Sequence, residues 1–496
     1  MTVRSTFARA LIAMLAIGAA LPNAGLAQAV PSGQQIIMPT PAPMPTMGGT
    51  PLPYPAYGTP APDVAHTTAK PGVPTSVSLT QAVKIAVALS PVFEGQNAQW
   101  AAIHAKYTSE KQALFPAVSG NGTIGNQYEN QSATRSGSIL PTASPGPATL
   151  SANGTTASES LSITVQQLIY DGGRTIAAIR SAKESDYAGR ATLFRDLETL
   201  AFNVATAYYG VLQANATVTA NAQLVKEFEV NQSAVAAQIR NGAAARSDIA
   251  SAEFQTATAR GNLVTSQGQA IAAQATFATV LGVDADAQVV PNSLGKPNTF
   301  ANPTYEMSLK RAFVLRPDYL AAQYTVESDK ENLRYAKLAR FPVLTAGASD
   351  EVGKTFGPFS SGYTNTKTLG LNLSIPIYDQ GLTNYNVAVA AATLDGANSS
   401  LRQSRLQVES DVRSALANLI SSRALLVQTQ AELNAAKVSL DATQAQYKVG
   451  ATTIINVTTA EANLATAQSD QIKAFYGEQT AEQNYLYATG TTDLQI

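Results

Sequence analysis

The 496-residue chain contains no cysteine. Disulfides, thiolate metal sites and a lipid-anchoring cysteine are thereby excluded. Only two histidines occur, His66 and His104, in different segments. Histidine metal clusters and serine–histidine–aspartate chemistry have nothing to build on, so neither an enzyme nor a cofactor is expected. Lys and Arg number 33 against 34 Asp and Glu, and no basic patch points to nucleic acid. Beyond the first residues no run of about 18 apolar residues occurs, so no transmembrane helix is expected in the mature chain. Charged residues make up 14%, well below the ~25% of ordinary soluble domains. Alanine, glycine, serine and threonine take their place, which suits close helix packing or a lipid-facing sheet.

The first residues read as a secretory signal over 1–29. Arg4 and Arg9 precede an apolar run over 10–21, and Ala27-Gln28-Ala29 is an A-x-A cleavage site. Residues 30–78 hold 12 of the 25 prolines and no apolar periodicity, the composition of a disordered leader. It reads as a tolerated tail rather than as a spacer or tether.

The remainder of the chain repeats itself. Leu114-Phe115-Pro116 recurs as Arg340-Phe341-Pro342, and Ser90-Pro91 as Arg316-Pro317, both offset by 226 residues. Ile169-Tyr170-Asp171-Gly172-Gly173 recurs as Ile377-Tyr378-Asp379-Gln380-Gly381, offset by 208. Asn241-Gly242-Ala243 and Val449-Gly450-Ala451 keep that offset, as do Leu281-Gly282 and Thr489-Gly490. A period this long marks a duplicated half rather than a solenoid repeat. The predicted repeats are 79–282 and 305–490, joined by a connecting segment at 283–304 and completed by a short tail at 491–496.

Each repeat reads in the same order. A short helix, 79–89 or 305–315, ends at a proline. A second, 92–115 or 318–341, ends at Pro116 or Pro342. Then the period changes to two. Leu161, Ile163, Val165 and Ile169 alternate with small or polar residues, and so do Leu369, Leu371, Leu373, Ile375 and Ile377. This predicts one strand hairpin per repeat, at about 117–170 and 343–378, with tips at 131–158 and 357–365. One face would need water and the other lipid or core.

The longest elements come next. Residues 174–241 and 382–449 contain no proline, and fully helical each would run roughly 100 Å. Val412, Leu419, Leu426, Leu433, Leu440 and Tyr447 are spaced by seven, and Val204, Val211, Val218, Val225 and Ile239 form the matching set with a miss at Gln232. This is a coiled-coil seam. Gly242 and Gly450 end these helices, and a return helix of about 40 residues comes after each. Two short rods end to end would then lie beside one long rod, with strands at one end and the glycine turn at the other.

Four strands cannot close a barrel, which needs about eight, and open edges cannot face lipid. If the apolar faces contact a membrane, several chains must therefore pool their strands, with the helices reaching away from it.

The doubled helix–strand–strand–helix plan resembles the TolC-like outer membrane efflux proteins. So do the Phe-Pro before each first strand, the Tyr-Asp-x-Gly after each second strand and the glycine turns in Gln238-Ile239-Arg240-Asn241-Gly242 and Gln446-Tyr447-Lys448-Val449-Gly450. The resemblance covers about 79–490. It implies a mixed α and β fold, a homotrimer in the outer membrane of a Gram-negative bacterium. A shared 12-stranded β-barrel of four strands per chain would contact outer membrane lipid, continued by a periplasmic α-barrel of coiled-coil helices. It implies partners as well, a periplasmic adaptor (membrane fusion protein) and an inner-membrane pump of RND or ABC type, for drug or small-molecule efflux or type I protein secretion. The duct would be a passive conduit. At the periplasmic aperture the resemblance points to Tyr447, Ser247 and Asp248. It also points to three positions where the family carries Arg or Asp and this chain carries Thr452, Asn456 and Thr459. Asp248 reads equally as a first-turn residue beside a helix dipole. Adaptor docking is expected at Asn241, Gly242, Ala243, Ala244, Val449, Gly450, Ala451 and Thr452, where small side chains allow close approach; these glycines could also serve only to end helices.

Gly120-x-Gly122-x-x-Gly125 fits a dinucleotide fingerprint, but it falls inside a predicted strand rather than between strand and helix. Small residues letting strands approach is the better reading. The alternative function is a periplasmic coiled-coil adaptor or scaffold without its own channel. That alternative does not account for two strand hairpins with one apolar face each.

Overall fold

The computed structural model describes residues 76–134, 149–242, 245–292, 302–356 and 362–492. The signal segment, the leader as far as residue 75, Ala243, Ala244, much of the first hairpin tip and the last four residues lie outside the described residues.

In chain order the elements are β1 (Ser76–Val77), α1 (Leu79–Leu89), α2 (Pro91–Gln112), β2 (Ala117–Thr134), β3 (Thr149–Tyr170), α3 (Arg174–Arg240) and α4 (Arg246–Leu281). Then come β4 (Val290–Pro291), α5 (Tyr305–Leu315), α6 (Pro317–Leu338), β5 (Val343–Phe356), β6 (Gly362–Ser374), α7 (Leu382–Lys448) and α8 (Ile454–Thr489). Both long helices have 67 residues, and both return helices have 36.

Local chemistry sets the boundaries. Pro91 and Pro317 occupy the first turns of α2 and α6, where a missing N–H costs nothing. Ser90 and Arg316 before them are extended, as a residue before proline must be. So the prolines do not merely end one helix; they start the next. The same rule ends α2 and α6 three residues earlier than expected, because Phe115 and Phe341 each precede a proline. Asp171 and Asp379 explain the Tyr-Asp-x-Gly motif. Asp171 accepts the Gly173 and Thr175 N–H groups at 2.9 and 2.6 Å, and Asp379 those of Gly381 and Thr383 at 3.1 and 2.8 Å. Each carboxylate thus satisfies first-turn donors of a long helix.

Three expected boundaries are corrected. The leader stops short of the expected residue 78: Val77 is fully buried, β1 pairs in parallel with β4, and Ser78 forms a capping box with Gln81. The connecting segment is likewise held down, since the Tyr208 hydroxyl donates to the Asn292 carbonyl at 2.8 Å. The second hairpin ends at Ser374 rather than 378, because Pro376 has no N–H to continue the ladder. The first hairpin keeps its expected bounds of 117–170, but its pairing reaches into the expected tip at 131–158, as far as Thr134↔Thr149.

The four long strands form one antiparallel sheet in the order β2-β3-β5-β6. The β3–β5 pair joins the two hairpins. Along its first half α3 lies against α2 and α6; along its second half it lies against α4 and α8. In turn α7 packs on α6 and α8. The seam expected from the heptads is buried: Val204, Val211, Val412 and Leu419 are at most 1% exposed, and Val225, Leu433 and Leu440 are also buried. Leu426, Val218, Gln232, Ile239 and Tyr447 are half-buried. The largest core lies where α1, α3, α4, β1 and β4 meet, around Val204, Tyr208, Val211, Phe277 and Leu281.

Candidate functional site

The sheet has two unlike faces. Side chains directly opposite across strands share a face. By the strand register, one face carries Val118, Ile124, Tyr128, Leu161, Ile163, Phe356, Tyr363, Leu369, Leu371 and Leu373, all solvent-exposed in a single chain. The other carries Ser119, Asn121, Thr123, Ser160, Ser162, Thr164, Ser349, Thr366, Thr368 and Asn372. Gly120, Gly122 and Gly125 sit within β2, which disposes of the dinucleotide reading. On the apolar face Lys367 pairs with Asp350 at 3.0 Å, so neither charge stands alone there. Among the described residues the outer edges of β2 and β6 have no strand partner. Among the described residues no helix is long and apolar enough to cross a membrane.

The helices leave open edges as well. On α7 a three–four spacing runs through Leu382, Tyr385, Val389, Ala392 and Gly396 and again through Ala417, Ile420, Ala424, Val427 and Ala431, with Leu406 and Val438 in the same register, every one exposed. On α4 the same spacing runs through Phe254, Ala257, Gly261, Val264, Gly268 and Ile271, again all exposed. These are unpartnered coiled-coil seams. Sequence reasoning missed them. The signal was present on α7 as a second heptad register one residue out of step with the first.

The turns between α3 and α4 and between α7 and α8 lie side by side, since Val235, Ala252, Ile454 and Val457 share one buried cluster with Ile239 and Tyr447 at its edge. Each long helix puts its turn about 100 Å along its axis from the sheet. Gly242 and Gly450 have φ of +70° and +75°, and Asn241 and Val449 are the helix caps beside them. Ala451 and Thr452 come next in the second turn and are exposed or half-exposed. The Tyr447 hydroxyl donates to Asp248 Oδ2 at 2.9 Å, joining residues 199 apart. Burial and then the Asp248 carboxylate push this hydroxyl up to about 12, so it stays a donor at any physiological pH. Ser247 donates to Asp248 at 3.3 Å. Asn456 donates to Thr452 at 2.8 Å, and Thr459 to the Ile455 carbonyl at 2.8 Å. Of the expected aperture residues, the structure therefore joins Tyr447, Asp248 and Ser247 in one cluster and Thr452 with Asn456 in another. Thr459 bonds only within its own helix turn.

A further carboxyl lies 11 residues past Gly450. Glu461 is 2% exposed and accepts from Asn231 Nδ2 at 2.6 Å across the α3–α8 contact. Burial pushes it up to about 7; Asn231 lowers it and Glu227 raises it. Between its ordinary value of 4.5 and about 7, the folded chain holds a proton that the unfolded chain has released. Its contribution therefore falls as pH rises through this window, by up to roughly 3 kcal/mol per chain. Thermal unfolding of the helices should thus occur at a lower temperature at pH 8 than at pH 5. Glu461→Gln should flatten that dependence; an unchanged slope in the variant would assign it elsewhere.

Comparison with known proteins agrees with this geometry. The family model described as outer membrane efflux protein matches residues 83–283 and 309–491. The outer membrane efflux protein BepC of Brucella suis biovar 1 is 24% identical over 328 residues, covering 66% of this chain and 71% of BepC. The outer membrane protein TolC of Escherichia coli K12 is 28% identical over 348 residues, covering 68% and 70%. The open state of the Neisseria gonorrhoeae MtrE outer membrane channel superposes with a TM-score of 0.67 at 18% identity, covering 89% of this chain and 99% of MtrE. With sheet, helices and turns in the same arrangement and both halves of the chain matched, the protein belongs to the outer membrane efflux protein family.

Proposed function

We propose that this outer-membrane chain is the exit duct of a tripartite export system and works as a ring of three copies. The carrying observation is the sheet with one exposed apolar face, one polar face and two unpaired edges. In lipid an unpaired edge leaves backbone groups unsatisfied at several kcal/mol each. Four strands are too few to close on themselves, whereas twelve from three copies close with the apolar face to lipid and the polar face to water. The helices call for the same arrangement. The open stripe of α7 and the open stripe of α4 belong to helices that do not pack on each other, so contact between copies is head to tail and a rotation closes it.

The helices then carry the conduit into the periplasm. Tyr447, Asp248 and Ser247 hold the aperture, with Thr452, Asn456 and Thr459 beside it in place of charges. A periplasmic adaptor docks on the turns at Asn241, Gly242, Val449, Gly450, Ala451 and Thr452, together with Ala243 and Ala244. An inner-membrane pump of RND or ABC type supplies the energy, and the duct itself makes and breaks no bonds. An adaptor or scaffold would have no use for a sheet of this kind.

The full chain purified in detergent should have the mass of three copies and conduct ions in a planar bilayer. Thr452→Trp should retain both properties while export from cells falls at least tenfold, because the indole blocks close approach at the turn. A single-copy mass with undiminished conductance sinks the ring. Unchanged export by the variant removes the turn as the docking site.

A further inference from the structure

The junction of sheet and helices occurs twice in each chain, and only one occurrence has its partner. At the first, the Phe341 ring, three residues past α6, lies on the turn after β3. A Cβ on Gly172, which has φ +71°, would sit 2.5 Å from Phe341 Cβ. The offsets of 226 and 208 residues map Phe341 onto Phe115, and Gly172 onto Gln380. Among the described residues Phe115 and the Gln380 turn, at opposite edges of the sheet, have no such contact within one chain. Their exposures record the gap. Phe341 is 45% exposed and Phe115 69%; Ile169 is 48% and Ile377 94%; Tyr170 is 51% and Tyr378 84%. Each residue in the unmatched junction is more open than its counterpart.

Gln380 departs from its counterpart in one respect. It has φ +56°, the sole non-glycine in the left-handed region among the described residues. An L side chain there is strained, and such strain persists where a side chain has a use. Phe115 lines an open cleft of about 740 Å³ together with Gln112, Pro116, Gln166 and Thr345.

We propose that the turn 377–381 of one copy seats on Phe115 of the next, with the Gln380 side chain reaching toward the amides of Gln112 and Gln166. This rests on the ring of copies stated above and specifies its contact at the base of the sheet. It makes the chain-to-chain junction unlike the within-chain one. Glycine lets Phe341 lie directly on the backbone, whereas Gln380 holds Phe115 off by the width of a side chain and replaces apolar contact with amide hydrogen bonds. The two kinds of junction then alternate around the ring.

Because the chain has no cysteine, the contact can be trapped without background. In the full chain in detergent, Phe115→Cys with Gln380→Cys should convert most of the protein to covalent dimers and trimers on oxidation, and neither single variant should. If loss of the ring prevents assembly, Ala113→Cys with Gln380→Cys gives the same readout from the adjacent cleft wall. Native mass is measured on each sample. A three-copy mass without cross-links overturns the contact and leaves the ring standing; a single-copy mass in the wild type overturns both. The side chain has its own test. Gln380→Gly keeps the backbone conformation and removes the amide, so it should lower the fraction of three-copy protein at least tenfold on dilution; a variant that assembles like the wild type would show that the amide does not hold the junction.

Discussion

Valine in place of Gly282 is expected to abolish accumulation of the assembled protein, while valine in place of Gly242 leaves it largely intact. The two glycines share a backbone conformation, φ +78° and +70°. Forcing an L residue into it costs about 1–2 kcal/mol at either site. Their surroundings differ. A Cβ on Gly242 meets nothing within 4 Å, whereas one on Gly282 would land on the Leu89 carbonyl, with its carbon at 2.7 Å and Ser90 Cα at 2.9 Å. That backbone cannot retreat, because the Ser90 N–H is bonded to the Ala86 carbonyl at 2.8 Å and Pro91 opens α2 immediately after. Overpacking adds roughly 1–3 kcal/mol or more, on a total stability of only ~5–15 kcal/mol. Gly490 makes the same approach to Leu315 and Arg316 at 2.9 Å, so Gly490→Val should behave like Gly282→Val. Outer-membrane levels of the three variants measure this. Equal levels for Gly282→Val and Gly242→Val would show that the α1–α2 corner yields.

Aspartate at Leu419 together with aspartate at Leu433 should leave no folded chain. Leu419 is 1% exposed among Leu416, Ala481, Tyr485 and Ala488. Leu433 is 8% exposed among Leu440, Ala460, Leu464 and Ala467. Each change removes buried apolar area worth about 2 kcal/mol and inserts an unpaired charge costing several more. The sites are 14 residues apart on one helix, roughly 21 Å, so their effects should add. Val427→Asp is the contrast. Val427 is 74% exposed on the open stripe of α7, so that variant should keep its helical circular dichroism and lose only the three-copy mass. A double variant with undiminished helix content would remove the heptad run from the core.

The expected aperture residues were legible only in part. Tyr447 and Asp248 could be named only through the family resemblance, which implies aperture residues near the turn glycines, and the structure brings them to 2.9 Å. Glu461 could not be named. Glu253, at the matching position in the first half, is exposed, and only the approach of α3 buries Glu461 against Asn231. The α7 stripe escaped notice for a different reason. Its small residues, Ala392, Gly396, Ala417, Ala424 and Ala431, carry little hydrophobic weight, so the buried leucine register dominates the pattern.

The sequence by itself determined the order of the elements and nearly every helix boundary. Those features are local: proline lacks an N–H, a residue before proline is barred from helix, glycine takes positive φ, and a seven-residue period fixes one face of a helix. Only the tertiary structure decided the partners. It joined β3 to β5 across nearly 200 residues, pulled β1 onto β4, set Arg316 between Asp318 and Asp411, and buried Glu461. A period states that a face must be covered without stating by what. The choice depends on which surfaces remain open once every other element has packed, and that is a property of the whole chain rather than of any segment.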